Sequence, residues 1–205
     1  GVKVAVIITA GFGECGEEGQ ALERVVLNNA RRHNIRLVGP NCLGVMRPEI
    51  GLNATFNKGN ANPGKLAFVS QSGALCTAIL DWANTNNVGF SSVVSMGESL
   101  DLDFGEIIDF LISDVATQSI LLYIEGIRNP RSFMSSLRAA ARIKPVILVK
   151  VGRHVAASKA AKSHTAALAG ADDAFDAAVR RAGAVRVRSV TQLFSAAKAL
   201  SCGFH

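Results

Sequence analysis

The stretch Lys65-Leu66-Ala67-Phe68-Val69-Ser70-Gln71-Ser72-Gly73-Ala74-Leu75-Cys76 decides the fold. Residues 65–70 have the length and apolar content of a buried strand, and 73–84 carry helical periodicity. Only a short polar turn separates them, so a strand runs almost directly into a helix, the opening half of a β-α-β unit. The same alternation repeats downstream. Strands are expected at 90–95, 118–124, 146–151 and 184–187, and helices at 104–113, 131–142 and 172–182. Asn129-Pro130 places a proline in the first turn of the 131–142 helix. Ser189, with Gln192 three residues on, forms a capping box for a last helix. Five strands alternating with five helices predict an α/β fold: a flavodoxin-like, doubly wound parallel sheet.

Upstream of this series, residues 48–64 are rich in Gly, Pro and Asn, read as a loop and mark a domain boundary near residue 60. Before it, 3–9 and 35–38 read as strands and 17–33 as a helix. Two strands and one helix are too few for a domain. Residues 1–60 are therefore expected to be the end of a preceding α/β domain whose start lies outside the chain, and 3–9 to be an edge strand if left unpaired.

The 205 residues are 49% apolar and 19% charged, enough for a core and against disorder. No apolar run approaches the roughly 20 residues of a membrane span, and residues 2–9 lack the features of a signal peptide. Cys15, Cys42, Cys76 and Cys202 show no paired spacing, which argues against a zinc site or disulfide framework and for a cytoplasmic setting. Residues 1–120 carry 8 Lys/Arg against 12 Asp/Glu; residues 121–205 carry 14 against 4. The basic half points to an anionic ligand or partner. Aromatics at 6% and the lack of a basic run speak against nucleic acid.

In open parallel sheets ligands bind beyond the carboxyl ends of the strands. The first strand ends in Ser70-Gln71-Ser72-Gly73, where hydroxyls and free N–H groups at a helix start can hold an anion, or where a serine simply caps the helix. After the second stand Glu98, Asp101 and Asp103, read as helix-start residues. Glu125-Gly126 follows the third, a carboxylate suited to orienting a histidine or metal, or to a plain salt bridge. The fourth leads through a polar loop to Ser163-His164-Thr165-Ala166, with Lys159 and Lys162 nearby. His164 is either a structural or solvated histidine or a functional one, since imidazole accepts a phosphoryl group, a carboxylate orients the ring, and a helix N-terminus holds the phosphate. Gly39-Pro40-Asn41-Cys42-Leu43-Gly44 is a tight turn whose Cys42 either faces a thiol or thioester ligand or is a buried inert thiol.

These motifs, in this order along the whole chain, resemble the NDP-forming acyl-CoA synthetases, relatives of the succinyl-CoA synthetase alpha subunit. The resemblance implies that residues 1–60 are the C-terminal part of a Rossmann-like CoA-binding domain and 61–205 a succinyl-CoA-ligase-like flavodoxin-type domain. It implies that His164 is a phosphohistidine steadied by Glu125, that Ser70, Gln71, Ser72 and Gly73 hold phosphate, and that Asn41 and Cys42 lie where the thioester end of CoA approaches. Coenzyme A or acetyl-CoA and ATP or ADP are the implied cofactors, an ATP-grasp domain the implied partner, and no metal site is implied.

In one place the chain departs from the family, which usually writes Ser-His-Thr-Gly where Ala166 stands here. Were positive φ or close approach to phosphate required there, alanine would cost about 1 kcal/mol or more and block the site. In overall wording the sequence is similar to the synthetase-like region of enterobacterial Pat-type protein lysine acetyltransferases. That resemblance implies a segment that binds acetyl-CoA and regulates a separate GNAT domain acting on protein lysines. The alternative is a working segment of an ADP-forming acyl-CoA synthetase.

Overall fold

The computed structural model describes residues 1–151 and 165–202. The chain runs β1 (Val4–Val6), α1 (Glu17–Arg32), β2 (Arg36–Val38), β3 (Gly44–Arg47), β4 (Leu52–Thr55), β5 (Pro63–Ser70), α2 (Gly73–Asn86), β6 (Phe90–Ser95), α3 (Phe104–Ser113), β7 (Ser119–Ile124), α4 (Pro130–Ala141), β8 (Val146–Lys150), α5 (Thr165–Ala182), β9 (Val185–Val187) and α6 (Val190–Ser201).

Seven strands form one sheet in the order β4-β3-β6-β5-β7-β8-β9, and β1 and β2 form a separate parallel pair. The strands from β5 to β9 are mutually parallel. Numbered within that series they read 2-1-3-4-5, the flavodoxin order, whose direction reverses between β5 and β7. Side chains alternate across the sheet as strand geometry requires. Ala67 and Val69 face a core completed by Phe104, Ile108 and Leu111 of α3, Phe133 and Leu137 of α4, and Val179 of α5. Leu66 and Phe68 face the opposite core with Cys76, Ile79 and Leu80 of α2 and Leu193 of α6.

Three differences from the expected elements are informative. The loop expected at 48–64 contains β4, which pairs antiparallel with β3, while β3 pairs antiparallel with β6. Residues 44–55 are thus built into the main sheet, although they precede the boundary expected near residue 60. Leu52-Asn53-Ala54-Thr55 alternates apolar and polar, but four residues set among Gly, Pro and Asn are too short to announce a strand; partners across the sheet make it one. Secondly, α5 starts at Thr165 rather than near 172. The Ala-rich run after His164 has high helix propensity, and it extends the helix back toward the polar loop. Thirdly, β1 is shorter than the expected 3–9, although Ile7 N–H still donates to the Val38 carbonyl at 2.9 Å. Val2, Val4, Ile8, Leu22 and Val25 are exposed around this small sheet.

A clasp holds the two sheets together. Glu98 N–H donates to the Pro40 carbonyl at 2.9 Å, Leu100 N–H to Gly39 at 2.9 Å and Leu102 N–H to Leu37 at 3.2 Å. Asp101 Oδ2 accepts from Arg36 Nε at 2.8 Å and from Leu37 N–H at 2.9 Å, and Arg36 also reaches Glu106 at 2.7 Å. Gly97 makes the fit possible: its φ is +56°, and a Cβ there would lie 2.1 Å from the Pro40 carbonyl oxygen.

Candidate functional site

The strand ends at the topological switch carry the polar groups. Ser70 closes β5 and is fully buried. Its hydroxyl donates to the Ser72 carbonyl and accepts from Ser72 N–H, both at 3.0 Å, so it shapes the turn from inside. Ser72 is the N-cap of α2, accepting from Leu75 N–H at 3.3 Å. Capping uses its lone pairs and leaves the hydroxyl proton for a ligand. Gly73 and Ala74 follow as the first two helical residues, whose N–H groups have no acceptor within their own helix. A Cβ on Gly73 would meet Leu43 N at 3.6 Å and Ser95 Oγ at 3.8 Å, ordinary contacts. The protein itself therefore does not demand glycine there.

Gln71 binds the neighbouring strand end. Its Oε1 accepts from Glu125 N–H at 2.7 Å and from Gly126 N–H at 2.9 Å. Glu125, half-buried just past β7, is thereby joined to the start of α2. Burial, together with the Glu125 carboxylate, pushes the Tyr123 hydroxyl above the usual phenol range.

The turn after β2 approaches from the other sheet. Leu43 N–H donates to Ser95 Oγ at 2.9 Å, which sets this turn beside the α2 start. Asn41 is exposed with φ +54°, and its N–H donates to the Thr9 carbonyl at 2.9 Å. Cys42 is only 2% exposed, and its thiol donates to the Ile7 carbonyl at 3.3 Å. Burial pushes that thiol up to about 11. What this position offers a ligand is the backbone and side chain of Asn41, while the sulfur faces inward.

Among the residues expected at the site, Ser70, Gln71, Ser72, Gly73 and Glu125 are thus brought together, with Asn41 and Cys42 on the adjoining turn. His164 lies outside the described residues, as do Ser163, Lys159 and Lys162; α5 begins at the residue after His164. Ala166 falls in the first turn of that helix.

The three acidic residues after β6 divide in role. Asp103 caps α3, accepting from Gly105 N–H at 2.8 Å and Glu106 N–H at 3.3 Å. Asp101 serves the inter-sheet clasp. Glu98 lines a cleft of about 340 Å³ with Gly13, Gln20, Glu23, Arg24 and Arg128. Arg128 of this cleft is not among the residues expected from sequence, although its position in the loop after β7 is a signal for it. Nor is Ser95, a buried serine at the carboxyl end of a strand. Among the described residues, no group of three or more His, Cys, Asp or Glu is placed to hold a metal ion, and no helix is long and apolar enough to cross a membrane.

Comparison with known proteins gives a consistent picture. Residues 63–200 match the family described as succinyl-CoA ligase-like flavodoxin domain. The chain is 46% identical over 193 residues to acetate–CoA ligase (ADP-forming) I of Archaeoglobus fulgidus, covering 94% of this chain and 28% of that protein. It is 42% identical over 201 residues to the alpha subunit of acetate–CoA ligase (ADP-forming) I of Pyrococcus furiosus, covering 98% and 44%. The solved structure of Ca. Korarchaeum cryptofilum dinucleotide-forming acetyl-coenzyme A synthetase 1 in complex with phosphate and ADP superposes with a TM-score of 0.85. That structure shares 38% identity with 98% of this chain, which spans 43% of it. The chain thus spans less than half the length of these relatives.

Proposed function

This chain belongs to the succinyl-CoA ligase-like flavodoxin domain family, and from that premise we propose that it is the ligase core of an ADP-forming acyl-CoA synthetase. Of the two expected readings the relatives favour this one: they are ADP-forming CoA ligases, and they give no support to a regulatory segment of a lysine acetyltransferase. A helical backbone at Ala166 is compatible with a working site as far as backbone strain is concerned.

The observation that carries the proposal is the joining of an anion-ready helix start to Glu125 at the topological switch of the sheet. In this reading a phosphate oxygen attacks the thioester carbonyl of acyl-CoA, and the CoA thiolate leaves to give an acyl phosphate. An imidazole nitrogen of His164 then takes the phosphoryl group, releasing the carboxylate, and passes it to the terminal phosphate of ADP. The Gly73 and Ala74 N–H groups and the Ser72 hydroxyl hold the phosphate, aided by the helix dipole. Glu125 orients the His164 ring and stabilises its charge. Asn41 meets the thioester end of CoA.

The test uses the full-length protein that carries this chain. It is incubated with acetyl-CoA and labelled inorganic phosphate, and acid-labile, base-stable label on His164 is sought. Label that disappears in His164→Asn is expected. A protein that forms ADP-dependent product with His164→Asn, or never takes label, rules the proposal out.

A further inference from the structure

Residues 70 and 123 are paired in the β5–β7 ladder, and Gln71 N–H donates to the Tyr123 carbonyl at 3.3 Å. In a regular parallel ladder the next bond runs from Glu125 N–H back to the main-chain carbonyl of residue 71. Here the oxygen that receives it is Gln71 Oε1, at 2.7 Å, and the same oxygen takes Gly126 N–H at 2.9 Å. A side-chain amide has replaced a main-chain amide as the last rung. The replacement lets the backbone leave the ladder at residue 71 and cap α2 one residue later, without stranding the β7 end.

We propose that Gln71 is a positioning residue that fixes Glu125 relative to the α2 start, and that it is not a phosphate ligand. What Glu125 then does rests on the synthetase reading above; the staple itself does not. The chemistry of the side chain makes the proposal specific. Glutamate keeps an oxygen at the same reach, methionine keeps the length without an acceptor, and asparagine is one methylene too short.

The experiment compares Gln71→Met, Gln71→Glu and Gln71→Asn in the full-length protein. Amide hydrogen exchange of the segment spanning Glu125 and Gly126 is read by mass spectrometry, alongside kcat and the KM for phosphate. For Gln71→Met and Gln71→Asn the expectation is at least tenfold faster exchange at those two amides. Both should also lose about tenfold in kcat, with KM for phosphate within twofold of the parent. Gln71→Glu should keep the exchange protection and regain most of kcat. Unchanged exchange in Gln71→Met overturns the staple. A rise in KM for phosphate with kcat intact, shared by Gln71→Met and Gln71→Glu, overturns it in favour of a phosphate ligand. A wild-type protein with no synthetase activity sinks the functional reading alone, because the exchange comparison still decides the staple.

Discussion

Cys42 gives a prediction with a magnitude attached. Its thiol is 2% exposed, donates to the Ile7 carbonyl and is pushed up to about 11 by burial. At pH 8 roughly one Cys42 in 1,000 is thiolate, against about one in four for an ordinary thiol near 8.5. Since the thiolate is the reacting species, ionisation alone slows alkylation about 200-fold, and poor access slows it further. Cys76, pushed up to about 12 and fully buried, reacts more slowly still, whereas Cys15 and Cys202 are exposed. Iodoacetamide at pH 8 should therefore add two groups quickly, mapped by peptide mass spectrometry to Cys15 and Cys202. All four should react in denaturant. Modification of native Cys42 within tenfold of the Cys15 rate refutes the reasoning, because it requires an ionised, accessible sulfur on the ligand side of the turn.

Three further substitutions separate stability from function. Gly73→Ala meets only ordinary contacts at an unstrained helical position, so unfolding should change by no more than about 1 kcal/mol in either direction; on the synthetase reading, KM for phosphate should rise at least tenfold. Gly97→Ala drives a Cβ to 2.1 Å from the Pro40 carbonyl oxygen at positive φ, a cost of about 2–5 kcal/mol in urea unfolding. A variant as stable as the parent contradicts the clasp. Asp101 is the pH-sensitive member of that clasp. Burial pushes its carboxyl up, but Arg36 and the Leu37 N–H outweigh this and hold it below the usual carboxylate range. A depressed folded-state value means that its stabilisation is complete above the unfolded value near 3.9 and fades as pH falls through the folded one. Asp101→Asn should lower stability at pH 7 by about 1–3 kcal/mol. The difference from the parent should shrink on acidification below pH 4, and a constant difference down to pH 2 counts against the ion pair.

How much of this was legible in the sequence depends on whether the signal is local. The series from β5 to α6 was readable because buried strands and amphipathic helices each leave a periodic trace. Asp103 and Ser189 were readable as helix-start residues because a cap acts on N–H groups two or three positions away. Asp101 looks the same in sequence, but its partner Arg36 is 65 residues distant, and only the fold joins them. The β3–β4 hairpin was missed for a related reason: Asn53 and Thr55 turn their polar atoms on one another, so the segment reads as loop chemistry while it pairs as strand. Gln71 is expected from the resemblance to hold phosphate, whereas its Oε1 accepts from Glu125 and Gly126 N–H just past β7, more than fifty residues away, and no local signal announces that use.

The same device recurs around the switch and argues for what the site is built to receive. Several main-chain N–H groups near the switch are taken by side-chain oxygens: Gln71 for Glu125 and Gly126, Ser95 for Leu43, Asp101 for Leu37, Ser70 for Ser72, and Ser72 for Leu75. An unmet buried N–H costs about 1–3 kcal/mol, which explains why polar side chains cluster here. The first two N–H groups of α2, on Gly73 and Ala74, are the donors that helix geometry leaves over, and they lie at the positive end of the helix dipole. A site that supplies oxygen acceptors to the donors around it, and leaves donors at one helix start, favours a ligand made of acceptors. An oxyanion such as phosphate fits that requirement better than a cation or an apolar group.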